Sequence, residues 1–355
     1  MSPSRPISCD SPSRSVRALL VGVVATLLGA ACGGSGGAAP ETPASPPPPA
    51  PQLPPSPPAP SLNGPYRISD LSASWTSAGP PAGTACSGRP VGPFATDLND
   101  FGEIAAYYVS GQASEQCAVI WTGSAWADPG PASSLFWYPA ALSNSRRVSG
   151  YALDPGTRLS TAAVWSSGAF TRVSPALSSA VDVNDGGQAV VQILEPANAS
   201  FFWDGTALRP IGTLGGSLSS GRAISGLGIV VGSSTTALDQ THAFLWDGVR
   251  IEDLGTLGGD SSVALDVNDT RQVVGSSREQ GVATAFIWEA GSMRSLGLPA
   301  GTSRLPSSEA RSINELGQVV GIYGVPARND EKLSQTGGRA VLWVQGTGYD
   351  LLAAL

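Results

Sequence analysis

A segment ending in tryptophan recurs six times along this chain, and no other feature restricts its fold as much. It reads CAVIW at 117–121, TAAVW at 161–165, ASFFW at 199–203, HAFLW at 242–246, TAFIW at 284–288 and RAVLW at 339–343. The tryptophans Trp121, Trp165, Trp203, Trp246, Trp288 and Trp343 stand 44, 38, 43, 42 and 55 residues apart. Ahead of each lies a second line: ATDLNDFGE, AALSNSRRV, AVDVNDGGQ, the degraded RAISGLGIV, ALDVNDTRQ and ARSINELGQ. A period of this length marks supersecondary units that bury their apolar faces only by stacking on one another.

Each unit reads as three or four short strands. In NDxG the Asn–Asp pair starts a turn and the glycine takes positive φ, closing a hairpin onto the QVVG-type run that follows. Gly102, Gly187, Gly228 and Gly317 keep that glycine, while Arg147 and Arg271 are read as standing in its place. Asp204-Gly205 and Asp247-Gly248 mark a second hairpin beyond the Trp strand. The Trp strands are apolar at consecutive positions, which predicts burial on both faces. Units of 40–45 residues with four strands and one fixed Trp predict an all-β, six-bladed β-propeller over residues 65–355, with seven blades if residues 66–94 form one of their own. YRISDL (66–71) and YDLL (349–352) resemble the IEDL line at 251–254, and a clasp between the two ends would close the ring.

The N-terminal part has a different character. Residues 1–31 read as an export signal, with Arg5, Arg14 and Arg17 ahead of the apolar run Ala18–Ala31. That run is shorter than the roughly 20 residues a spanning helix needs. Cys32 follows in LLGAAC, which resembles a bacterial lipobox although Gly29 stands where that motif has Leu. The resemblance implies lipidation at Cys32, with ordinary secretion as the alternative. Residues 32–64 read as a disordered Gly/Pro-rich tether, with twelve prolines between 40 and 60. Such a stretch extends at about 3.1 Å per residue. Gly33-Gly34 lack an acidic residue beside the cysteine, so in a Gram-negative host the expected address is the outer membrane, facing periplasm or cell surface. Export makes Cys86 and Cys117 a disulfide candidate.

Without residues 1–31 the chain keeps 17 basic and 26 acidic residues, a net charge of −9. An acidic chain with scattered arginines lacks the footprint of a nucleic-acid binder, and membrane contact is expected through the lipid anchor only. A monomer with an extracellular protein or glycan ligand is expected.

At His242-Ala243-Phe244-Leu245-Trp246, with DLGTLGG, ALDVND and QVVGSS following, the chain resembles bacterial extracellular repeat proteins of the HAF family. The resemblance is good over about 200–355 and weaker over 95–200. It implies an extracellular or cell-envelope repeat protein and no particular reaction.

Residues able to carry chemistry are sparse. The single histidine, His242, occupies a register filled elsewhere by Cys117, Thr161, Ala199, Thr284 and Arg339, which argues for a tolerant strand position. Asp97, Asp100, Asp182, Asp185, Asp266 and Asp269 lie in D-x-N-D, a spacing unlike an EF-hand loop, and are read as turn-capping rather than calcium-binding. TLGG at 213–216 and 256–259 lacks the Lys-Ser/Thr of a phosphate loop. No catalytic, cofactor or metal residue is therefore assigned. The expected function is a noncatalytic binding or interaction module on the envelope, with no cofactor. A polysaccharide hydrolase or lyase using channel carboxylates (Glu103, Glu195, Glu252, Glu289, Glu309 and Glu315 are the acids available) is one alternative, and a purely structural envelope protein another. The insertion 324–338 lengthens the last repeat and is read as a tolerated surface loop or a binding loop.

Overall fold

The structure, a computed structural model, describes residues 90–110, 116–128, 136–154, 156–157, 159–195, 198–279, 281–302, 307–325 and 338–351. The signal (1–31), Cys32, the tether (32–64), the YRISDL strand, Cys86 and most of the 324–338 insertion lie outside the described residues. Residues 57–355 make one compact unit, and its described residues contain strands and turns only.

The strands fall into six blades. The first comprises β1 (Pro90–Leu98), β2 (Ile104–Ser110), β3 (Gln116–Trp121) and β4 (Trp126–Ala127). The second comprises β5 (Phe136–Leu142), β6 (Val148–Leu153), β7 (Ser160–Ser166) and β8 (Ala169–Arg172). The third comprises β9 (Ser178–Val183), β10 (Ala189–Ile193), β11 (Ala199–Trp203) and β12 (Leu208–Pro210). The fourth comprises β13 (Gly215–Ile224), β14 (Val230–Thr236), β15 (Thr241–Trp246) and β16 (Ile251–Asp253). The fifth comprises β17 (Ser262–Val267), β18 (Val273–Glu279), β19 (Val282–Glu289) and β20 (Ser292–Ser295). The sixth comprises β21 (Ser307–Ile313), β22 (Val319–Val325), β23 (Arg339–Val344) and β24 (Thr347–Asp350). Each blade is an antiparallel meander, and a single parallel bridge, Cys117 to Trp137, joins the first two into one sheet.

Turn chemistry sets this meander. In all six copies the first-to-second-strand hairpin closes through two main-chain bonds, such as Asn184 N–H to Gln188 O and Gly187 N–H to Asn184 O, both 3.0 Å. The residue two positions before the second strand adopts positive φ: Gly102, Arg146, Gly187, Gly228, Arg271 and Gly317. The second repeat therefore places Arg146 there, at φ 57°, one residue before the expected Arg147. At the outer hairpins Asp204 and Asp247 accept main-chain N–H groups from the two residues beyond Gly205 and Gly248.

The cores lie between blades rather than within them. Val231, Ala243, Leu245 and Leu254 of the fourth blade pack against Ala264, Val267, Val273, Phe286 and Trp288 of the fifth. β3, β7, β15 and β19 are buried at four consecutive positions, as at Ala243–Trp246, whereas Phe201 of β11 and Leu342 of β23 are half-buried. Trp203, Trp246, Trp288 and Trp343 are buried, whereas Trp121 and Trp165 are half-buried. The C-terminal YDLL segment supplies β24 of its own blade, paired to β23, rather than the missing strand of another.

Candidate functional site

The inner strands β1, β5, β9, β13, β17 and β21 each carry a register irregularity three residues before the hairpin asparagine or serine. Just after it, the six repeats place Asp97, Ala141, Asp182, Ala223, Asp266 and Ser312 in equivalent positions. Acid and small residue alternate around the array. Each acid reaches forward to the next blade: Asp97 accepts Leu142 N–H at 2.7 Å, Asp182 accepts Ile224 N–H at 2.8 Å and Asp266 accepts Ile313 N–H at 2.8 Å. Asp266 also takes the Ser312 hydroxyl at 2.7 Å.

The hairpin asparagines repeat the arrangement. Asn99, Asn184 and Asn268 are buried, and each donates its side-chain amide to a carbonyl of the following blade, Ser143, Ser225 and Asn314 respectively. The blades are therefore tied in three pairs, first to second, third to fourth and fifth to sixth. Between these pairs the hairpin tips also meet, Ser145 N–H to Asp185 at 2.7 Å and Leu227 N–H to Asp269 at 2.9 Å, beside apolar cores and the bonds of Ala162 N–H to Ser178 Oγ and Ala243 N–H to Ser262 Oγ. Glu315, on the sixth blade, accepts Asp269 N–H and also feels the charge of Asp100 on the first. The tips thus come round the axis.

The three acids at these positions, Asp97, Asp182 and Asp266, feel one another's charge. Removal from bulk water drives the Asp182 carboxyl up to about 7, with the charges of Asp266 and Asp97 adding to the effect and two main-chain bonds opposing it. Burial likewise raises Asp97 and Asp266. Each of these carboxylates already binds main-chain N–H groups, so the axis works as a set of anchors holding neighbouring strands. Among the described residues no group of three or more His, Cys, Asp or Glu is arranged to hold a metal ion. Around the same mouth the tips expose Phe101 (74%), Leu227 (70%) and Leu316 (64%) beside Asp100, Asp185 and Glu315.

The acids named in the sequence are dispersed. Glu103 is buried and pairs with Arg146, which holds its carboxyl below the usual range. Glu289 pairs with Arg294 at 2.9 Å, Glu309 with Arg311 at 2.9 Å and Glu252 with Arg271 at 3.8 Å, while Glu195 stands exposed on a turn. Cys117 is disulfide-bonded at the start of β3, and Cys86 lies outside the described residues.

His242 is not simply a tolerant position. Its Nδ1 lies 2.9 Å from Asp253 across the outer hairpin. The equivalent pair is Thr161 with Arg172 in the second blade, bonded at 2.7 Å, and Arg339 with Asp350 in the sixth. These positions, four before and seven after each Trp, exchange as pairs. The sequence held the signal, visible only when the two columns are read together.

No protein-family model matches the sequence, and no curated protein matches it. Among solved structures the chain is similar to TolB from Acinetobacter baumannii at 13% identity and TM-score 0.40 over 57% of this chain, spanning about half (52%) of that one. It is similar to a mutant of Aleuria aurantia lectin in complex with Fucalpha1-6GlcNAc at 11% identity and TM-score 0.38, over 71% of this chain and 91% of the lectin. A second structure of that lectin, described as a six-bladed β-propeller, gives 9% identity and TM-score 0.35 over 72% and 91%. The fold assignment rests on the strand pairing of this chain.

Proposed function

We propose that this protein is a noncatalytic interaction module, carried on the cell envelope by a lipid at Cys32 and held clear of the membrane by the 32–64 tether. Such an address follows from the signal-like N-terminus and from the resemblance to HAF-repeat proteins. One observation carries the reading of the folded part. The axial acids, where a hydrolase built on this scaffold would place its acid and base, are bonded to main-chain N–H groups of the adjacent blade. A carboxylate so engaged cannot leave its partner to transfer a proton without loosening two blades at once. Around it the hairpin tips form a firmly tied rim with exposed apolar side chains, as binding surfaces do.

A panel of soluble polysaccharides tests this, read two ways: retardation of the protein in affinity electrophoresis, and release of reducing ends. Retardation without new reducing ends supports the module. Turnover that disappears in Asp182→Asn or Asp266→Asn would overturn it in favour of the hydrolase.

A further inference from the structure

The outer corner of the second blade holds a cavity of about 420 Å³, lined by Asp154, Thr157, Leu159, Thr161, Arg172, Val173, Ser174 and Pro175. Its size falls among small-ligand sites. It lies in the column of outer-hairpin pairs, at Thr161 and Arg172. In the fourth and sixth blades the two positions of that column meet across the hairpin itself, His242 hydrogen-bonded to Asp253 and Arg339 ion-paired with Asp350. In the second blade the later position is Arg172, and its acid is Asp154 on the turn between β6 and β7, 3.9 Å away.

We propose that this corner binds one neutral pyranose residue of a glycan, which rests on the interaction-module reading and names its ligand class. The wall matches an uncharged polyol. Arg172 donates to Thr161 through one terminal nitrogen and keeps further N–H groups, with its side chain 35% exposed. Asp154 accepts from Gly156 and Thr157 N–H through one oxygen, and its other oxygen faces Arg172. Those main-chain bonds hold its carboxyl below the usual range, so it stays charged and cancels the guanidinium. Among the described residues of this wall Asp154 and Arg172 are the charged pair and balance one another, which favours an uncharged ligand. Thr157 and Thr161 add hydroxyls that both donate and accept, and Leu159, Val173 and Pro175 offer an apolar wall for the C–H face of a ring.

The test uses the full exported chain and saturation-transfer NMR with methyl glycosides of neutral hexoses and of hexuronic acids. At least one neutral hexoside should take up saturation, and Arg172→Gln should weaken it fivefold or more at unchanged melting temperature. Arg339→Gln, the same column in the sixth blade, should leave binding intact. Leu159→Phe, which narrows the cavity without touching a polar group, should also weaken it. Binding of hexuronides alone, or neutral hexosides bound equally by wild type and Arg172→Gln, overturns the proposal. Polysaccharide retardation that survives Arg172→Gln undamaged would also overturn it while leaving the module itself standing.

Discussion

A carboxylate that takes main-chain N–H groups on both oxygens is normally pulled toward lower pKa, yet Asp182 moves the other way because burial and two further axial acids outweigh those bonds. The consequence for stability has a definite sign. An aspartate whose folded value lies above its unfolded one binds its proton more tightly in the fold. Its contribution is therefore complete below about pH 4 and is lost as pH rises through about 7. Asp97 and Asp266 act in the same direction. Glu103, Asp247 and Glu289 are shifted down, so their contribution disappears on the acid side. Stability should peak near about pH 5 and fall by roughly 1–3 kcal/mol toward pH 8. Urea denaturation at both pH values should show this fall, and Asp182→Asn should reduce it. An undiminished fall in the variant would remove Asp182 as its source. None of this was legible in the sequence, where D-x-N-D announces a turn and says nothing of what faces the acid across an axis.

At the scale of the element, glycines and cross-strand pairs do what periodicity could not foretell. Gly275, in the QVVG run, has ordinary φ, but a Cβ there would lie 2.0 Å from the Val263 carbonyl of the neighbouring inner strand. The same slot accepts Ala106 and Val191 in the first and third blades, both fully buried, so what disfavours a side chain at Gly275 is the nearness of the Val263 carbonyl in its own blade and not backbone conformation. Gly275→Ala should cost about 1–3 kcal/mol in denaturant unfolding through the forced shift of that strand. A loss within error of zero would mean that the strands part freely there. The outer hairpin behaves differently. Replacing His242 by Thr, the residue of the second and fifth blades, removes a partly exposed pair with Asp253 and should cost less than about 1 kcal/mol. A melting temperature lowered by many degrees would assign His242 a role beyond pairing. The hairpins and consecutive burial of the Trp strands were readable because turn residues and apolar runs act locally. The pairing of His242 was not, because it joins two columns that look unrelated when taken singly.

Over the whole molecule, the two-blade unit is the less obvious repeat. Asp97, Asp182 and Asp266 stand about two Trp periods apart, and each ties its blade to the next, which gives the axial bonds a two-blade period. Five of the six spaces between blades carry apolar cores. On the first blade's face toward the last, Ala106, Tyr108, Cys117 and Val119 are buried as well, but the rim of that space differs among the described residues. The residue just after the axial position, packed against the preceding blade, is 5% exposed at Leu142, 4% at Val183, 7% at Ile224, 5% at Val267 and 7% at Ile313, but 62% at Leu98. On the opposite wall Val320 is 44% exposed, whereas its counterparts Val190, Val231 and Val274 are wholly buried. The sequence suggested a clasp at this junction from YRISDL and YDLL. Tyr349 and Asp350 pair within their own blade, and YRISDL lies outside the described residues. Matched truncations measure the difference directly. Leu142→Ala should lose about 2–5 kcal/mol, the usual range for emptying a packed core site, whereas Leu98→Ala should lose less than about 1 kcal/mol because the side chain is already in water. The two substitutions delete the same atoms from equivalent positions, so any gap between them reports the covering of the site and not the chemistry removed. Equal losses in urea unfolding would show that the first blade is packed against the last as firmly as every other pair, and the looser rim would have to be abandoned.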